Sequence, residues 1–376
     1  MHKIPLCIPS IEENEKKAVL DVLNSGWLTH GPKNKEFEKS FADFIGVKHA
    51  ISMNSCTSAL FISLVANNIR GEVILPSFSF TASANAIVTA GAIPVFADIN
   101  KEDRNLDPEC VESLITKNTE AIMVVHYGGQ CANMDKFMEI AERYNLLLIE
   151  DSAETIGGEF DGKIGGSFGI GNFSFFPTKN ITVGEGGMLT TNDDNLAEKI
   201  RTLIAHGINN KVFLAEKEKK PWFRSASEFG YNFRLSNILA AIGIEQMLKI
   251  EKLNQKRREN SHYLNKYLSE ISEIEIPQEL LSRKHVYQMY TILLNPSINR
   301  DKFVIDLNNF GIGASVHFDP PIHQQEFYKK NYKFSHTLQI TEEVSSRIVT
   351  LPMYPDLKKE ELDFIIGSIR KIMGYS

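Results

Sequence analysis

Short apolar runs alternate with segments of helical period over the first two-thirds of the chain. HAISM (49–53), EVILP (72–76), IPVFADI (93–99), AIMVVHY (121–127), LLLIED (closing on Asp151), NFSFF (172–176) and GMLTT (187–191) are bounded by polar or turn residues and read as strands. Between the early ones, TSALFISLVA, TASANAIVTA and MDKFMEIAERY read as amphipathic helices. Strand-then-helix alternation with nearly continuous apolar strands predicts a mostly parallel sheet covered on both faces. Ligands of such sheets bind beyond the carboxyl ends of the strands, so the residues just after each run matter most.

The stretch FRLSNILAAIGIEQMLKIEKLNQKRRENSHYLN (233–265) predicts one long helix with an apolar stripe and a charged second half. It bridges into a smaller C-terminal α/β unit, where VYQMYTILL and ASVHF read as strands and EELDFIIGSIRKIM as a closing helix. The expected division is a large domain over 1–248, including an N-terminal arm, and a small one over 249–376. The polar, irregular segment KVFLAEKEKKPWFRSASE (211–228) is the candidate for a mobile or partner-contacting loop.

Composition narrows the class. The chain of 376 residues is long enough for two cores, and 43% hydrophobic with 23% charged residues is ordinary for a soluble globular protein. A net charge of −6 argues against nucleic-acid binding, which needs a basic face. No run approaches the roughly 20 apolar residues of a membrane span. The start MHKIPLCIPSIEENE lacks the apolar stretch of a signal peptide, so the expected location is the cytoplasm. Cys7, Cys56, Cys110 and Cys131 are scattered, with no CxxC pair and no metal-ligand spacing; reduced thiols and no metal are expected.

The strand ends supply the candidate chemistry. Glu150 and Asp151 sit at the mouth of a buried strand, as a solvated terminus or helix cap or as functional acids. In FSFFPTKNITVGEGG, Lys179 follows an apolar run; it either caps a loop or puts its amine to chemical use. In MNSCTSALFISL, Ser55, Thr57 and Ser58 open a helix and suit either ordinary capping or an anion such as phosphate. After the next strand, one of Phe78 and Phe80 belongs to the core and the other can lie flat against an aromatic ligand. A phosphate nest, an aromatic plate, an acid and a primary amine along one sheet edge are the set that pyridoxal phosphate requires.

These residues lie in motifs that resemble the DegT/DnrJ/EryC1/StrS family of sugar aminotransferases, in the fold-type I, aspartate aminotransferase-like group. The resemblance runs nearly end to end: GWLTHGPKNKEFE, PSFSFTASANAI, HYGGQCANMD, EDSAET, FSFFPTKNITVGEGG, EFGYNFRLSNILAAIGIEQ and GIGASVHFDPPIH. It implies a large domain with a mostly parallel seven-stranded sheet and a smaller C-terminal α/β domain. By the same resemblance Lys179 is the cofactor's covalent anchor and proton carrier, and Asp151 pairs with the ring nitrogen. Glu154 approaches the phenolic oxygen, Phe80 stacks on the ring, and Thr57, Ser58 and Ser174 contact the phosphate. Asn232 reaches the phosphate from a neighbouring subunit, implying a homodimer with shared active sites. Trp27 and His317 match substrate-side positions, as does His206. Trp27 reads equally as a structural turn residue, and His126 either faces the cofactor or is a satisfied core histidine; His323 reads as scaffold, and Arg234 receives no catalytic role.

Two positions depart from the usual pattern. Cys56 stands where the family has glycine, a strained choice if the turn needs a positive φ. Glu154 stands where glutamine or histidine is common, and it needs a shared proton or another partner beside a phenolate-like oxygen. The implied reaction moves an amino group from L-glutamate to a keto acceptor, a nucleotide-linked 4-keto-6-deoxy sugar destined for surface glycan. A smaller phosphorylated ketone is the alternative acceptor, and a non-catalytic protein retaining the fold is the alternative function. Cofactor-dependent sugar dehydration belongs to relatives with histidine at the lysine position, and Lys179 argues against it.

Overall fold

The apolar runs assemble into one sheet in a computed structural model that describes residues 4–208, 220, 222, 225–332, 334 and 336–375. Its strands are β1 (His49–Met53), β2 (Glu72–Pro76), β3 (Ile93–Ala97), β4 (Thr119–Val125), β5 (Leu147–Asp151), β6 (Ile170–Ser174) and β7 (Gly187–Thr191). They lie in the order β1-β7-β6-β5-β4-β2-β3. All neighbouring pairs are parallel except those of β7, which runs antiparallel to both β1 and β6. This is the α/β architecture of fold type I, with the expected seven strands.

Helices cover both faces because each strand alternates its side chains between them. Ile51, Leu75, Met123 and Ile149 pack with α3 (Cys56–Ala66) and α4 (Thr81–Thr89). Ile74, Ile122, Val124 and Leu148 face α5 (Pro108–Leu114) and α6 (Met134–Tyr144) on the other side. There too, Phe173 and Phe175 meet Phe37 and Phe41 of α2 (Pro32–Ile45), with Phe41 and Phe173 edge to face at 4.9 Å. Burying such rings in contact contributes beyond their area alone.

Two expectations need correction. The single helix predicted over 233–265 is two, α8 (Asn237–Met247) and α9 (Ile250–Leu268), with the break at Leu248 and Lys249. No proline or glycine marks the break. Tertiary contacts hold it: Lys249 Nζ is 2.7 Å from Glu15 and 3.1 Å from the Ser10 carbonyl, while Gln246 also donates to Glu15 at 2.6 Å. The segment ASVHF is not a regular strand; Ser315 alone bridges to Thr350 before the chain turns toward Pro320 and Pro321.

The C-terminal elements surround a second core. The strands β8 (Ile274–Glu275), β9 (Tyr290–Leu294) and β10 (Ile348–Leu351) form an antiparallel sheet in that order. It packs against α9, α10 (Arg300–Asn309) and α11 (Lys359–Met373) through Leu264, Phe303 and Ile365. Ile4 joins this core and bridges to Ile312, so the start of the chain reaches the C-terminal unit. Most of the candidate loop 211–228 lies outside the described residues. Among the described residues no helix is long and apolar enough to cross a membrane.

Candidate active site

A cavity of about 460 Å³ opens at the carboxyl ends of β4, β5 and β6, within the size range of small-molecule sites. Asp151, Glu154, Ser174, Lys179, Thr57, Phe80 and His317 all line it. Seven residues separated by up to 260 positions therefore converge, as the topology of a parallel sheet allows.

The lysine is delivered by packing. Phe175 is fully buried between Phe37 and Phe41, while Phe176 turns out to the cavity. The chain then reverses: the Lys179 amide donates to the Phe176 carbonyl at 2.9 Å, and Thr182 Oγ1 donates to the Phe175 carbonyl at 2.8 Å. Residues from the second core clamp this turn. Gln288 Nε2 donates to the Thr178 carbonyl at 2.9 Å, and the buried Arg257 guanidinium reaches the Lys179 carbonyl at 3.5 Å. Lys179 Nζ points into the cavity, 3.4 Å from Glu154 Oε1, and the other oxygen of Glu154 accepts from the Gly128 amide at 2.9 Å. A lysine shielded from solvent but paired suits an amine that must act as a nucleophile and base.

Strand alternation separates the two acids that end β5. Asp151 faces α3 and α4 and lines the cavity. Glu150 faces the opposite way, where Oε1 accepts from the Phe168 and Gly169 amides at 2.8 and 2.7 Å. Its Oε2 accepts from the Gly166 amide at 2.7 Å and lies 3.0 Å from His126 Nε2. His126 Nδ1 accepts from the Ala132 amide, so Nε2 carries the proton given to Glu150. His126 is thus a satisfied core histidine. Glu150 is a scaffold acid, not a residue of the cavity mouth.

The remaining candidates divide by position. Phe78 is 1% exposed and packs against Tyr127, whereas Phe80 is 63% exposed at the cavity rim. At the start of α3, the Ser55 hydroxyl caps the helix by accepting from the Ser58 amide at 3.1 Å. That leaves the first amides, beside Cys56 and Thr57, without intrahelical partners at the cavity. Cys56 is a helical residue outside the positive-φ set, so it carries no backbone strain, and burial pushes its thiol well up. His317 Nδ1 is 2.9 Å from Thr350 Oγ1, and burial lowers the ring's pKa, leaving it neutral at pH 7. His323 bridges Ser77 and Glu342 as scaffold.

Ser58, Trp27, Asn232 and His206 do not line this cavity. Trp27 is exposed, with its indole N–H on the His30 carbonyl. Asn232 and His206 both meet the Arg234 guanidinium, at 3.3 Å from its Nη2. Sequence reasoning did not single out Ser79, Ser83, Cys7 or Gln288 as parts of the cavity wall. For the serines a signal existed: two small hydroxyl residues four apart at a strand-to-helix junction.

The family model for DegT/DnrJ/EryC1/StrS aminotransferases matches residues 9–370. The chain belongs to that family. It is 38% identical to the GDP-perosamine synthase of Caulobacter vibrioides, over 99% of this chain and 98% of the relative. Among solved structures it resembles Helicobacter pylori PseC, an aminotransferase involved in the biosynthesis of pseudoaminic acid, with 33% identity, TM-score 0.91 and 98% of each chain covered. It also resembles Spr1654 from Streptococcus pneumoniae in its PMP form, with 26% identity, TM-score 0.93 and 99% of each chain covered.

Family membership makes the protein an aminotransferase that uses pyridoxal 5'-phosphate. The donor set fits that cofactor. Burial drives the Asp151 carboxyl above its ordinary range despite the hydrogen bond from Ser83, so an N–H cation beside it would relieve a real cost. The open amides of α3, the rim ring of Phe80 and the amine of Lys179 would suit the phosphate, the ring face and the carbonyl carbon.

Proposed function

We propose that this aminotransferase moves the amino group of L-glutamate to a nucleotide-linked 4-keto-6-deoxy sugar, for surface-glycan biosynthesis. The observation that carries the catalytic part is that the Lys179 amine, 3.4 Å from Glu154, and the buried Asp151 carboxyl line one cavity. The acceptor class is supported by relatives named for a GDP-linked amino sugar and for pseudoaminic acid.

Pyridoxal 5'-phosphate, when bound, supplies the electron sink and carries the amino group between the two half-reactions. Lys179 would hold it covalently through its amine and, once that amine is free, would carry the proton removed from the donor's α-carbon. Asp151 holds a proton on the ring nitrogen, with Ser83 and the Ala153 amide orienting its two oxygens. Glu154, fixed by the Gly128 amide, holds the proton shared with the phenolic oxygen. Thr57 and Ser174 would bind the phosphate from the cavity wall, Ser58 being turned to Ser55 behind it, and Phe80 would cover the ring face. His317, neutral and aimed by Thr350, contacts substrate.

In this reading the enzyme works in the cytoplasm as a homodimer, and Asn232 completes the partner's phosphate site. The division into 1–248 and 249–376 places the anchor lysine in one unit and its clamp, Gln288 and Arg257, in the other.

The test is spectroscopic. The yellow holoprotein should bleach with L-glutamate and regain colour with a nucleotide-linked 4-keto-6-deoxy sugar. Lys179→Ala should lose at least about a thousandfold in transamination. Recovery with small phosphorylated ketones alone would move the acceptor assignment, and a holoprotein indifferent to amino donors would end it.

A further inference from the structure

Asp151 is gripped from both sides. Ser83, in the first turn of α4, donates to Asp151 Oδ2 at 2.7 Å, and the Ala153 amide donates to Oδ1 at 3.2 Å. Ser79 Oγ lies 2.8 Å from Ser83 Oγ. A hydroxyl has one proton and an ionised carboxylate only accepts, so Ser83 gives its proton to Asp151. Ser79 must then be the donor to Ser83, and the direction of the whole chain is fixed. All three side chains are buried, and both serines sit on the cavity wall. Hydrogen bonds aligned in this way inside a protein reinforce one another.

We propose that Ser83, itself oriented by Ser79, is a positioning residue for transamination that fixes the direction in which the Asp151 carboxylate faces. This rests on the reading that Asp151 pairs with the cofactor's ring nitrogen. Burial raises the Asp151 carboxyl, and the Ser83 hydrogen bond is the foremost influence opposing it. The other groups facing Asp151 are Glu154, which raises it further, Lys179, which lowers it, and the neutral Cys56 thiol. Without the Ser83 hydroxyl the carboxyl moves further up. A protonated acid does not pair with a protonated ring nitrogen, so cofactor affinity should then fall as pH falls.

The experiment measures pyridoxal phosphate dissociation from each purified full-length protein between about pH 6 and 8. Ser83→Ala should bind about tenfold more weakly at neutral pH, with the loss growing toward the acid end. Ser83→Thr should restore both the affinity and the pH profile. Ser79→Ala should give a smaller loss in the same direction. If Ser83→Ala does not fold, Ser83→Cys keeps the shape with a poor donor and should show the same loss. Wild-type affinity and pH profile in the folded Ser83 variants would overturn the proposal. Asp151→Asn separates the two ideas: unchanged affinity there would remove the underlying reading. A large loss in Asp151→Asn beside normal Ser83 variants would remove the proposal alone. Placing Ser83→Ala on Asp151→Asn should add little, as expected for two members of one network.

Discussion

Neighbouring carboxylates at the end of β5 have opposite employments. Glu150, fully buried, accepts three backbone amides and the His126 proton, and Asp151 lines the cavity. Glu150→Ala would strand all four donors, each at a cost of about 1–3 kcal/mol before relaxation. We expect it to lower stability by more than about 3 kcal/mol, read from the urea midpoint at unchanged m. Asp151→Asn should move that midpoint much less, because its amide oxygen still accepts from Ser83 and only the longer bond from the Ala153 amide is lost. Both acids stand out in the sequence as strand-end residues; which one faces the ligand depends on strand alternation and on which sheet face opens. Phe78 and Phe80 present the same problem beyond the end of β2, where the chain has left the strand and its two-residue period no longer assigns a face.

At the scale of elements, the start of α3 and the antiparallel β7 must approach more closely than side chains permit. A Cβ on Gly187 would stand 2.3 Å from the Ser55 carbonyl carbon and 2.5 Å from the Cys56 nitrogen, both backbone atoms. Gly187→Ala should therefore push the helix start away from the cavity. The expected result is a loss of about 1–3 kcal/mol in stability, together with weaker pyridoxal phosphate binding if, as proposed, the same amides meet the phosphate. Equal cofactor affinity in a destabilised Gly187→Ala protein would show that the helix start had not moved. The elements themselves were largely legible: all seven apolar runs became sheet strands, and the capping serine and following hydroxyls marked the start of α3. The break between α8 and α9 was not, because Lys249 and Gln246 are held by residues of α1 (Glu13–Ser25) and the segment before it, some 230 positions away. ASVHF carries strand-forming residues, yet the turn that brings His317 and Phe318 to the cavity overrides that preference.

At the scale of the whole molecule, the position of Asn232 bears on how many chains make an active site. It lies on the strip that bridges to Ala205 and, through Arg234, to Met53, off the wall of this chain's own cavity. Beside it runs a ladder of rings: Tyr231 stacks on Phe233 at 5.0 Å and meets Phe61 and Phe229 edge-on at 5.2 and 5.1 Å. Phe229 closes the ladder at 77% exposure, an apolar end suited to burial against another chain. If Asn232 serves the partner's phosphate, two inactive variants should rescue one another. Lys179→Ala chains keep Asn232, and Asn232→Ala chains keep Lys179. A mixed dimer then has one site with the lysine from one chain and the asparagine from the other, and one site with neither. Random exchange of equal amounts makes half the dimers mixed, each with one live site, so about a quarter of wild-type activity should return. That recovery should follow subunit exchange in time and disappear when the dimers are crosslinked before mixing. Activity no higher than the average of the two separate variants, in a population shown to contain mixed dimers, would place each active site within a single chain.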